Sequence, residues 1–317
     1  MLSTFTLSMF ISNTATATMM LAIMTPLIRS LATTDPYRTA LLISIAFASS
    51  LGGMGSIIGS PPNAIAVGAL QSIDNVDFLR WLTMGLPPAL TMLFALWGYL
   101  SWRYPADIQQ ISFDALPLEQ QELTVPRWQH LVVMLVFGST ILLWITQSWH
   151  GLPATVVSFL PICLLTLFGI LNSDDICALR WDILLLIAGG LSLGVGLTET
   201  QLDRWLLSQL PIDGLSPLAI AAALIVTTIV ASNLMSNTAA ANLLIPIAIA
   251  ASPNHEVAVV TGIALGASSA MCLPISTPPN AIVYGVGDLK TRDLIECGLF
   301  IGLIAPVLIL AWLFMAK

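Results

Sequence analysis

Between Gly214 and His255 no residue carries a full charge, and the same is true from Trp128 to Ser173, from Thr39 to Ile73 and from Val257 to Gly287. Further uncharged runs cover Met1 to Ile28, Trp81 to Trp102, Ile183 to Thr198 and Cys297 to Ala316. A soluble domain needs charged side chains around its whole surface, and a chain that is 57% hydrophobic and 9% charged cannot supply them. A bilayer core about 30 Å thick takes roughly 20 apolar residues per helix. The chain therefore reads as an all-α polytopic membrane protein with the lipid bilayer as its surroundings. A net charge of −7 with scattered Lys and Arg excludes nucleic acid as a partner, since a phosphate backbone needs a basic patch. Cys163, Cys272 and Cys297 lie in apolar stretches and Cys177 beside a charged loop, so no disulfide or zinc framework follows.

The run from Trp128 to Ser173 divides at His150-Gly151-Leu152-Pro153, a turn signal. Trp81 with Trp102, and Trp128 with Trp149, are each 21 positions apart. At 1.5 Å per residue that is about 31 Å, the separation expected of two interfacial anchors. Trp97 and Trp144 fall between these anchors and are expected to face lipid. Met1 opens almost directly on an apolar run with no basic segment and no small-residue cleavage site, which does not read as a signal peptide. Arg103 to Arg127 holds Asp107, Asp114, Glu119, Glu122 and three prolines and suits a cytoplasmic linker. It separates a first repeat, residues 1–102, from a second, residues 128–317. With that linker inside, Arg29, Arg38, Arg103, Arg127, Arg180, Lys290 and Arg292 are inside and Arg80, Arg204 and Lys317 outside, the bias the positive-inside rule asks for.

The two halves repeat each other. Ser12-Asn13-Thr14-Ala15 is echoed by Ser236-Asn237-Thr238-Ala239, and Ser60-Pro61-Pro62-Asn63-Ala64-Ile65 by Thr277-Pro278-Pro279-Asn280-Ala281-Ile282. The order is the same, with 50 positions from Asn13 to Asn63 and 43 from Asn237 to Asn280. A lone Ser-Asn-Thr would read as interhelical hydrogen bonding and a lone proline pair as a kink. Two copies of both point instead to a carrier with its site at a repeat interface. Ala239 to Ala251 rises only about 20 Å, too short to cross the core, so each triplet is expected at the tip of a re-entrant hairpin near the midplane. Such backbone is tolerated only inside protein or beside a wet cavity. The tandem prolines are expected to unwind two helices. Each Ser-Asn-Thr should cap the helix that follows it, offering free amides and about half a positive charge to an anion.

At these residues the chain resembles the divalent-anion:sodium symporter family, carriers of dicarboxylates, citrate and sulfate. The resemblance covers essentially the whole chain and implies an elevator-type transporter, an inverted repeat with two re-entrant hairpins and two Pro-broken helices, moving against a scaffold in a homodimer. It implies a first sodium site from Ser8, Ser12, Asn13 and the backbone of Gly59, and a second from Ser232, Asn237 and backbone oxygens near Met235 and Ser276. It places the anion between Ser12, Asn13, Thr14, Ser60 and Pro61 on one side and Ser236, Asn237, Thr238, Thr277 and Pro278 on the other. About 109 residues of the second repeat precede Ser236 whereas 11 precede Ser12, so the chain reads as N-terminally truncated.

No enzyme reading emerges, because His130, His150, His255, Asp174, Asp175, Asp182 and Glu199 fall at span ends and lack partners at catalytic spacing. Neutral polar groups in the motifs favour sodium ions over protons as the coupled cation. The expected function is sodium-coupled uptake of a small divalent anion, a C4 dicarboxylate first, across a plasma (inner) membrane. A sodium-independent exchanger, a sulfate carrier, and a transport-inactive fragment or interaction subunit are the alternatives.

Overall fold

The computed structural model describes residues 1–32, 35–71, 73–106, 126–202, 205, 208 and 214–315. Every regular element among them is helical: α1 (Leu2–Ser8), α2 (Asn13–Ser30), α3 (Pro36–Gly52), α4 (Pro61–Leu70), α5 (Phe78–Arg103), α6 (Arg127–Ile145), α7 (Gln147–His150), α8 (Ala154–Leu167), α9 (Ser173–Cys177), α10 (Trp181–Glu199), α11 (Pro217–Leu234), α12 (Asn237–Ala251), α13 (Glu256–Ser268), α14 (Pro278–Tyr284) and α15 (Thr291–Met315). Among the described residues α5, α6, α11 and α15 are long and apolar enough to cross a membrane. Residues 107–125, most of the expected linker, lie outside the described residues, as do Arg204 and Lys317.

Local chemistry sets the helix starts. Asp35 caps α3 by accepting from the Tyr37 amide (2.9 Å), Asp77 caps α5 at Arg80 (2.7 Å), and Ser216 caps α11 at Ala219 (3.2 Å). Gly151 takes a left-handed φ of 69° at the end of α7, so the chain turns where His150-Gly151-Leu152-Pro153 indicates. The tandem prolines act differently from expectation. Pro61-Pro62 and Pro278-Pro279 occupy the first turns of α4 and α14, where an amide hydrogen has no helical acceptor anyway. The irregular segments precede them, residues 53–60 and 269–277, while Pro87-Pro88 sits inside α5 without ending it. Glycine, serine and close tertiary contact break these helices, and the prolines restart them.

The core is built on α3 and α13, whose residues Ala40–Gly52 and Val259–Ser268 are buried throughout. The halves make matching contacts. α1 and α2 pack on each other and on α3, as α11 and α12 pack on each other and on α13. Across the halves α4 packs on α12 and α13, and α14 on α2 and α3. α5 and α15 pack together behind them. Arg38 reaches Asp288 (2.5 Å), Arg103 reaches Glu296 (3.2 Å) and Tyr104 donates to Asp293 (3.1 Å), tying the ends of α3 and α5 to the start of α15.

α6 and α8 pair with each other and keep a largely apolar exposed surface, as hydrocarbon-facing helices do. Two tryptophans differ from expectation. Trp81 is fully buried and its indole N–H donates to the Met54 carbonyl (3.2 Å), so it is a core residue and not an interfacial anchor. Trp144 is buried too, stacked on Phe78 with ring centroids 5.3 Å apart. Trp102, Trp128 and Trp149 are exposed, as anchors should be, and Trp97 is exposed as well.

Candidate functional site

Ser12 and Ser236 stand at the N-caps of α2 and α12, where their hydroxyls accept from the amides of Ala15 (3.3 Å) and Ala239 (3.1 Å). Each triplet thus joins two antiparallel arms, α1 to α2 and α11 to α12, and the next residue, Asn13 or Asn237, begins the return arm. Ser12, Ser236 and Pro278 are exposed, Thr14, Thr238 and Pro61 half-buried, and Ser60 and Thr277 buried. The Thr14 and Thr238 hydroxyls make no hydrogen bond among the described residues.

The first hairpin folds back onto the first break. Gly52 and Gly53 make this possible, since a Cβ on Gly52 would run into the Phe5 carbonyl and one on Gly53 into the Asn13 amide, 2.7 Å from Nδ2. One end of the Asn13 carboxamide then lies 2.7 Å from Ser8 Oγ, 3.1 Å from the Ser49 carbonyl and 3.2 Å from the Gly59 carbonyl. Ser8 Oγ itself donates to the Ser49 carbonyl (2.7 Å). Three of the expected residues, Ser8, Asn13 and Gly59, are therefore together. Ser49, on α3, joins them, while the Ser12 hydroxyl is turned to its own helix cap.

In the second half Ser232 Oγ and Asn237 Oδ1 are buried and have no hydrogen-bond partner among the described residues. Ser276 is buried, its hydroxyl closed on the Leu273 carbonyl (2.7 Å) and amide (3.3 Å). Met235, the last residue before the second triplet, is exposed. Thr277 caps α14 at the Asn280 amide (3.3 Å), whereas its counterpart Ser60 accepts from Ser268 of the other half (3.4 Å).

Several contributors escaped the sequence reading. Asn63 and Asn280, both fully buried, donate their amides backwards into the irregular segments: Asn63 to Gly53 (2.8 Å) and Ser56 (2.7 Å), Asn280 to Met271 (2.9 Å) and Leu273 (3.0 Å). Helix breaks leave carbonyls with no helical donor, and these side chains satisfy them. Their signal was in the sequence, one Asn closing each Pro-Pro-Asn. Two further ties lock hairpin to break. Ser56 Oγ donates to the Met9 carbonyl, and Asn233 Oδ1 accepts from the Cys272 amide (2.8 Å). Asn233 stands beside Ser232 in the polar cluster ahead of the second triplet, whereas nothing in the spacing of Ser56 marks it.

Two cavities lie elsewhere. One of about 430 Å³ sits among α1, α3 and α5, the other of about 540 Å³ among α4, α10 and α12, and no triplet residue lines either.

Known proteins to which this chain is similar are named as carriers. The family described as Citrate transporter matches residues 1–261. The sodium-dependent dicarboxylate transporter SdcS of Staphylococcus saprophyticus is 30% identical over 98% of this chain and 66% of its own length. Proteins of the same name from Staphylococcus aureus, bovine strain RF122 and strain MSSA476, are each 29% identical over the same shares. The chain thus spans about two thirds of the length of these relatives, just under that fraction at 66%.

Proposed function

The chain belongs to the citrate transporter family, and with it to the divalent-anion symporters that its motifs resemble, and from that premise we propose that it is a secondary active carrier coupling sodium to the uptake of a divalent anion, a C4 dicarboxylate first. The observation that carries this reading is the oxygen cluster at Asn13. The carboxamide can face Ser8 Oγ and the Ser49 and Gly59 carbonyls with either end. With its nitrogen inward it donates to them. With its oxygen inward, four oxygens share one hydroxyl proton, an arrangement that a hard cation would stabilise. The unpartnered Ser232 Oγ and Asn237 Oδ1 offer the second half's oxygens to a second cation, with backbone near Met235 and Ser276 completing it.

The anion belongs between the triplets. The N-termini of α2 and α12 present unpaired amides and partial positive charge, and the free hydroxyls of Thr14 and Thr238 stand one residue further on. Ser12, Asn13, Ser60 and Pro61 line one side and Ser236, Asn237, Thr277 and Pro278 the other. No buried Arg is needed, which avoids a large desolvation cost. In this reading both hairpins, α3 with α4 and α13 with α14 move as one body past α6, α8 and α10, and the complete carrier works as a homodimer in the plasma membrane. The relatives' name, sodium-dependent dicarboxylate transporter, supports both sodium and dicarboxylate.

The test is uptake of labelled succinate, citrate and sulfate by vesicles containing the complete protein, with sodium or potassium outside. Sodium-dependent succinate uptake is expected. Uptake equal in both salts would replace the symporter with an exchanger, and sulfate uptake exceeding succinate would replace the cargo.

A further inference from the structure

Asn242 lies on α12 in the otherwise apolar stretch Ala239-Ala240-Ala241-Asn242-Leu243-Leu244-Ile245-Pro246. Its Nδ2 crosses to α10 and donates to the Leu186 carbonyl (3.1 Å). Its Oδ1 is buried without a hydrogen bond and is turned against Gly190, where a Cβ would collide with the amide. The carboxamide thus lies flat on one turn of α10 backbone, at a point where glycine alone leaves room. Asn242 is 7% exposed, and buried amides in hydrocarbon have no water to replace a lost partner.

Packing around this contact combines apolar touch with open space. α10 rests on α4 and α12, and the cavity of about 540 Å³ opens beside Asn242, lined in part by Gly68, Leu191, Gly194 and Pro246. Atoms facing the void lose dispersion contacts, so α10 is held to the second hairpin by the apolar contacts of Ile187 and Leu191 on the core together with the Asn242 hydrogen bond. The hairpin fold itself does not require this side chain. Counting five positions from each triplet Asn, Thr18 stands where Asn242 does, is exposed, and donates to the Thr14 carbonyl of its own helix (2.9 Å).

We propose that the Asn242 carboxamide is a latch that holds the second hairpin against α10 in one end state, and that it must release before the hairpin and α4 slide past α10. The proposal rests on the moving-hairpin reading above. Its test uses the complete carrier with native cysteines replaced and the pair Gly68→Cys with Leu191→Cys, neighbours across the same surface. Mercuric ion should bridge the pair, stop succinate uptake, and release it on addition of thiol. Asn242→Leu, and separately Gly190→Ala, should slow bridging about three- to twentyfold, the range set by interhelical hydrogen bonds in membranes. Bridging within twofold of the parent in both variants would overturn the latch whether or not the parent carries succinate. Full uptake by the bridged protein would also overturn it, since the surface would not slide. A parent without succinate uptake whose bridging still slows on Asn242→Leu would overturn the carrier reading while leaving the latch contact standing.

Discussion

Replacing Asn63 with alanine removes two hydrogen bonds that hold the first irregular segment in shape. The amide donates to Gly53 and Ser56 from a fully buried position. The Ser56 carbonyl keeps a second donor, the Gly59 amide at 3.3 Å, so it loses one bond of two. The Gly53 carbonyl has no other donor among the described residues and is orphaned, at a cost of about 1–3 kcal/mol, with roughly 1 kcal/mol more for the weakened Ser56 contact. Against this, Asn63 Oδ1 is itself buried without a partner, and deleting it returns part of the loss. A net destabilisation of about 2 kcal/mol follows, close to thirtyfold in an equilibrium constant. Because the same segment carries the Gly59 carbonyl to Asn13, the half-saturating sodium concentration should rise, by at most about that factor where folding survives, with succinate affinity at saturating sodium changing less. Denaturation of the detergent-purified complete protein, with a sodium titration of uptake, measures both. Asn280→Ala, which strips Met271 and Leu273 in the same way, should lower stability to a similar degree. A normal stability and an unshifted sodium curve in Asn63→Ala would refute the idea that these amides shape the breaks.

Thr14→Val and Thr238→Val each remove one free hydroxyl donor to the anion, worth up to about 3 kcal/mol to a charged group, and should weaken succinate affinity about tenfold or more with little change in sodium affinity; unchanged affinity in both would move the anion elsewhere. Trp81→Phe leaves the buried Met54 carbonyl without its indole donor and should cost about 1–3 kcal/mol in a denaturation series, whereas Trp102→Phe, at an exposed end of α5, should stay within about 0.5 kcal/mol. The hydrogen bond from Arg80 (2.7 Å) holds the exposed Asp74 carboxyl below its ordinary range. Its small stabilising effect is therefore complete above the ordinary carboxylate pKa and disappears as pH falls through the lowered value, so Asp74→Asn should differ from the parent at neutral pH and match it in strong acid.

Local chemistry decided what the sequence alone could settle. Uncharged runs set the bilayer as solvent, Ser12 and Ser236 announced two helix starts and Gly151 a turn, because each depends on residues a few positions apart. The tertiary structure decided which distant groups meet. Ser49 reaches Asn13 only because α3 packs on α2, and Ser8 only because it packs on α1, while Asn242 reaches Leu186 only because α10 lies on α12. The misread tryptophans and prolines have the same origin. Lipid and protein core are equally apolar, so composition could not tell that Trp81 and Trp144 turn inward while Trp97 turns outward. A proline pair likewise has one sequence but two outcomes, restarting a helix at Pro61-Pro62 and continuing one at Pro87-Pro88, and in both places a side chain satisfies a carbonyl ahead of it, Asn63 at Gly53 and Trp312 at Thr83.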